Sequence, residues 1–143
     1  MANDTTAQYG PSGKLELDGR AYENIDTNKT LTLADQGVIQ NVIADGIVIT
    51  LPATAAGSTF TIRNGGVPVS DGAAGTGSNG SVLVAVSPNA SDKIQGLVFT
   101  AADNKDALNT KATSQVGDYI TLVGDGVDGY NVVASRGIWA REA

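Results

Sequence analysis

A chain of 143 residues suits one domain, and at that size it buries about 68–70% of the surface its unfolded form exposes, so a core needs no covalent staple. It contains neither cysteine nor histidine, which removes disulfides, thiolate zinc sites, the imidazole base and every Ser-His-Asp arrangement, and leaves only carboxylate, lysine or tyrosine chemistry to an enzyme. Nine basic residues, scattered along the chain, stand against fifteen acidic ones for a net charge of −6, which argues against nucleic acid as a partner because phosphate-backbone affinity comes from clustered Lys and Arg.

No apolar run approaches the roughly 20 residues of a membrane helix. Met1-Ala2-Asn3-Asp4 has neither a basic n-region nor an apolar h-region. The expectation is a chain made in a reducing cytoplasm with no membrane partner. Eighteen glycines are close to twice the usual share of about 7%, and Thr and Val are abundant, so the composition favours an all-β fold with many turns.

Residues 1–14, MANDTTAQYGPSGK, are polar and glycine-punctuated, with Tyr9 and Pro11 as the sizeable anchors, and cannot form a core of their own. They read either as a loose terminus or as an extended arm, and residues 15–143 as a single β-domain. Leu15 and Leu17 alternate with Glu16, Asp18-Gly19 turns, and AYENI (21–25) reads as a short strand. Thr30 to Leu33 alternate into the Ala34-Asp35-Gln36-Gly37 turn. In the segment from Leu31 to Gly65, Ile47, Ile49 and Leu51 alternate with Val48 and Thr50, and Phe60 and Ile62 with Thr59, Thr61 and Arg63, as strands do; Asp45-Gly46, between the VIQNVI and IVITL runs, and Asn64-Gly65, after STFTIR, have the chemistry of tight hairpin turns. Pro52 cannot donate to a ladder and ends a strand there, after which Ala53 to Gly57 carry the chain over a sheet edge.

SDGAAGTGSNG (70–80) is a solvated loop of small residues. Its Gly75 to Gly80 stretch matches G-x-G-x-x-G, but a β-branched strand, SVLVAV, follows where a dinucleotide site needs a helix, so no cofactor is expected. That strand is apolar throughout and belongs near the middle of a sandwich or at a subunit contact. Ile94 to Phe99 reads as another strand, and Ala101 to Thr113 as the one segment able to hold a helical turn or two. Two more strands, Gly117 to Val123 and Tyr130 to Ala134, flank GDGVDG (124–129), and Gly137-Ile138-Trp139 closes the chain, with Trp139 a core plug.

Asp125 and Asp128 invite a calcium reading, but the ligand spacing of an EF-hand is missing and a hairpin turn accounts for them, so no metal is expected. Asp35, Asp45, Asp92, Asp118 and Glu23 lie in or beside turns, which explains them without a catalytic carboxylate pair; no catalytic residue is expected.

LTLADQG (31–37), ITLPA (49–53), Ala56-Gly57, FTI (60–62), Asn64 and GIW (137–139) resemble a pattern recurrent in small β-modules of tailed-bacteriophage virions, both capsid decoration proteins and tail-fibre or tail-spike segments. The chain starts at a Met and carries no repeats or heptads, which is similar in plan to the decoration proteins. That resemblance implies a compact antiparallel β-sandwich or jelly-roll-like domain with an N-terminal arm. It also implies a structural virion protein on the outer capsid surface that stabilises the expanded head, with the major capsid protein and two further copies in a trimer as its expected partners. The arm residues Tyr9, Pro11 and Lys14 are then expected at capsid or subunit contacts, with Pro52, Gly57 and Trp139 structural. The alternative is a receptor- or glycan-binding module of a tail fibre or spike.

Overall fold

The computed structural model describes residues 7–9, 15–17, 20–66, 82–97 and 100–143; Pro11, Lys14 and the glycine loop at 71–80 lie outside them. The regular structure of the described residues is almost all β, arranged in a sheet of eight strands and a sheet of five. In the larger sheet, β3 (Arg20–Ile25), β5 (Val38–Val42) and β7 (Thr59–Asn64) run parallel. In the smaller sheet, β4 (Lys29–Thr30), β6 (Ile47–Thr50) and β8 (Val84–Ser87) do the same. The chain crosses to the opposite sheet after each of these strands, and that crossing supplies the connection a parallel pair requires. β1 (Ala7–Tyr9) and β2 (Leu15–Leu17) extend the larger sheet beyond β3 by antiparallel pairing, so the segment read as an arm contributes an edge strand that ends at Tyr9.

The second half closes both sheets. β11 (Tyr119–Gly124) pairs antiparallel with β7 and with β12 (Gly129–Arg136), and β9 (Lys93–Gln95) adds parallel to β12. β10 (Ala107–Asn109) lies antiparallel to β8 and to β13 (Ala140–Arg141). The domain is the all-β sandwich expected from the sequence, but its sheets are mixed, which corrects the antiparallel pairing expected within it.

The correction arises at the turns. Asp45-Gly46 makes a corner between sheets in place of a hairpin: Asp45 Oδ1 accepts from Leu83 N (2.9 Å), and Gly46 N, at φ +76°, donates to Leu83 O (3.1 Å). A hairpin would put VIQNV and IVIT in one sheet, whereas their buried positions, Val38, Val42, Ile47 and Ile49, line the core from opposite sides. Asn64-Gly65 is likewise no hairpin: β7 is flanked by β5 and β11, so no following strand pairs back on it, and the Asn64 side chain is buried. The alternation at Leu31 to Leu33 gives way to a 3-10 turn over Leu33–Asp35, and Ala101 to Thr113 holds β10 in place of helical turns. The strand expected over Ile94 to Phe99 is shorter, ending at Gln95.

Ile49, Leu51, Phe60, Ile62, Ile120, Leu122 and Tyr130 fill the space between the sheets. Phe60 and Tyr130 meet edge to face with ring centroids 6.0 Å apart, and the Tyr130 hydroxyl donates to Pro52 O (2.9 Å). Trp139 is buried and its Nε1 donates to Arg136 O (3.0 Å). Gly57 takes φ +80° and donates to Gly124 O (2.9 Å), tying the corner after β6 to the end of β11.

A buried polar bridge links the sheets. Asn64 Nδ2 donates to Asn109 Oδ1 (2.7 Å) and Val82 O (3.1 Å). Asn109 Nδ2 donates to Asp118 Oδ2 (3.0 Å) and Ile138 O (3.0 Å), and Asp118 Oδ2 also accepts from Gln115 N (2.9 Å). Both amides thus spend both N–H donors. Replacing Asn109 by Ala strands partners on Asn64, Asp118 and Ile138, and is expected to cost about 3 kcal/mol. Urea unfolding should show a lower midpoint at unchanged slope.

Candidate functional site

Strand alternation and register assemble a site on the outer face of the larger sheet. On β7 the residues Phe60, Ile62 and Asn64 face the core, so Thr61 and Arg63 face out; on β11 Ile120 and Leu122 face in, so Tyr119 and Thr121 face out. Pairing sets Thr61 opposite Thr121 and Arg63 opposite Tyr119, while Ile39 of β5 stands opposite Thr61 and Arg136 of β12 opposite Tyr119. The Thr61 and Thr121 hydroxyls hydrogen-bond across the strands (3.0 Å). Ile39, Thr61, Arg63, Tyr119 and Thr121 line a shallow recess of about 300 Å³.

Arg63 is aimed by its neighbours. Its Nη1 donates to Asn41 Oδ1 (2.7 Å), and Asn41 Nδ2 donates to Asn24 Oδ1 (3.0 Å). Gly65 leaves room for the Asn41 amide, which a Cβ there would meet at 2.6 Å. Tyr22, opposite Ile39 on β3, is 54% exposed and continues the face toward the sheet edge.

Charged side chains also converge beside β4. Lys29 Nζ donates to Glu23 Oε2 (2.6 Å), Asp35 Oδ1 (3.1 Å) and Gln40 Oε1 (3.0 Å). Asp35 Oδ2 accepts from Thr32 N (2.8 Å) as one half of a capping box around the 3-10 turn. Burial by itself would raise the Asp35 carboxyl, but the Thr32 N–H and the Lys29 ammonium outweigh it and hold the group below its ordinary 3.8. The Lys29 ammonium, on β4, thus ties β3, β5 and the 3-10 turn together, and a carboxylate engaged as Asp35 is remains poorly suited to serve as a general acid near neutral pH.

In the GDGVDG turn, Asp125 Oδ1 accepts from the backbone N–H groups of Val127 (2.7 Å), Asp128 (2.9 Å) and Gly129 (3.0 Å), and these bonds hold its carboxyl below the ordinary range. Its oxygen is spent on its own loop. Among the described residues no group of three or more Asp and Glu side chains is arranged to hold a metal ion.

Of the residues singled out from the sequence, Pro52 and Trp139 sit at the core through the contacts above, and Gly57 at a corner on the surface; none of them belongs to the outer-face recess. Arg63, Tyr119 and Arg136 carried no motif. The available signal was their place opposite the buried positions of their strands, but which strands are neighbours is a property of the fold. No protein-family model and no curated protein matches this chain.

The lowered Asp35 carboxyl gives stability a pH dependence of definite sign. Its contribution is full well above 3.8, shrinks as pH falls below that value, and is gone below the lower folded value. Asp35→Asn should therefore destabilise the protein at neutral pH and flatten the acid limb of its stability curve, as read by urea unfolding across a pH series.

Proposed function

We propose that this protein is a non-enzymatic structural component of a tailed-phage virion that binds the outer capsid surface and stabilises the expanded head as a trimer. The resemblance of residues 31–65 and 137–139 to virion β-modules supports this reading. The observation that carries it is the outer face of the larger sheet, where half-exposed Tyr22 and the recess around Arg63 and Tyr119 sit on a body braced internally by hydrogen bonds between its sheets. A rigid face loses little conformational entropy on docking. Each site contributes modest free energy, and many sites on a shell act in parallel against the outward push of packaged DNA.

The Tyr119 ring with the Thr61 and Thr121 hydroxyls favours a second reading, a glycan-binding tail module, since sugars are held by aromatic and hydroxyl groups in shallow recesses.

Deletion of residues 2–14, which removes β1, should reduce cosedimentation with expanded heads by about tenfold or more while the remaining domain keeps its β circular-dichroism spectrum. Unchanged cosedimentation would take the arm out of the mechanism. A full-length chain that ignores heads and binds host cells or glycans would replace the first reading with the second.

A further inference from the structure

We infer that Arg63 and Arg136 together receive a carboxylate from an acidic segment of a partner protein, a contact that rests on the reading of this chain as a surface-binding module. The two arginines flank Tyr119 in register, one on each neighbouring strand. Their guanidinium groups converge over Gly117: a Cβ there would stand 3.5 Å from Arg136 Nη1 and 4.0 Å from Arg63 Nη2. Gly117 adopts φ +98°, a conformation that favours glycine, so no side chain stands between the two groups at that position.

The pair is held for use. Arg63 is anchored through Nη1 to Asn41, itself 4% exposed, so its Nη2 is directed toward Gly117 without freedom to fold away. Among the described residues neither arginine meets a carboxylate at ion-pair distance, in a chain with fifteen acidic residues to nine basic ones. Two like charges set side by side repel, and an external carboxylate relieves that repulsion while accepting the parallel N–H bonds that a guanidinium fork offers. The adjoining recess, about 300 Å³, lies at the small end of ligand pockets and has an apolar wall in Ile39, which suits the side chain that carries the carboxylate.

The test uses the full-length chain with a short glutamate-rich peptide, its glutamine counterpart, sialic acid and inorganic phosphate, each titrated by NMR. The glutamate peptide should shift the Tyr119 and arginine side-chain signals and the glutamine peptide should not. Combining Arg63→Gln with Arg136→Gln should weaken the peptide by about tenfold or more. Arg63→Lys, which retains charge and loses the fork, should fall between, and serves alone if the double variant does not fold. Peptide binding unaffected by these variants, or phosphate or sialic acid bound as well as the glutamate peptide, overturns the inference. The same variants cosedimented with expanded heads separate the two ideas. Heads bound equally by parent and variants refute the arginine contact and leave the capsid reading standing, whereas peptide binding by a chain that never binds heads does the reverse.

Discussion

The hydrogen-bonded bridge of Asn64, Asn109 and Asp118 is the constraint on which the rest of the molecule depends. It spans the interior from β7 in one sheet to β10 in the other, and an amide left without a partner there would cost far more than a small change in apolar contact. The two sheets are therefore locked in one relative position. The bridge also reaches Ile138 O, and Gly137, at φ +90°, passes so close to Asp118 that a Cβ would overlap its carboxylate. That close passage brings Trp139 into the core and fixes the end of β12, and with it Arg136 beside Tyr119. The outer-face arginine pair is thus a downstream consequence of a buried polar contact.

The two halves of the chain solve the packing problem differently. From β3 to β8, corners send successive strands to alternate sheets, so that part of each sheet grows by parallel addition. In the second, antiparallel pairing of β11 and β12 on one sheet and of β10 and β13 on the other completes the body. The outer face of the larger sheet consequently carries rows of side chains drawn from strands far apart in sequence, held at fixed spacing. Such a face recognises a surface by position and needs little ordering when it docks.

Acidic and basic groups are used unequally. Asp35, Asp45, Asp92, Asp118 and Asp125 each accept hydrogen bonds from backbone N–H groups and so spend their charge on corners, caps and turns. Arg63, by contrast, is held by a neutral amide. A chain of net charge −6 can in this way carry two neighbouring arginines on one face while these five aspartates are engaged by backbone N–H groups.

Much of the strand content was legible from the sequence: the period-two alternation of IVIT and TFTIRN marks β6 and β7, and the runs AYENI, VIQNV and YITLV, read as strands, fall in β3, β5 and β11. Proline at 52, glycine at 57 and the apolar character of SVLVAV marked a strand end, a corner and a central strand, and all three are local chemistry. What the sequence left open was which sheet each strand joins. Asp45-Gly46 provides a tight bend in a hairpin and in a corner alike, and the choice came from Leu83, thirty-odd residues away, which bonds both positions. The arginine pair was hidden for the same reason: Arg63, Tyr119 and Arg136 are ordinary outward-facing residues until long-range pairing makes them neighbours. Alternation alone determines which way a side chain faces, whereas its companions on that face are decided only when burial of the core and satisfaction of its polar groups select one register for the whole sandwich.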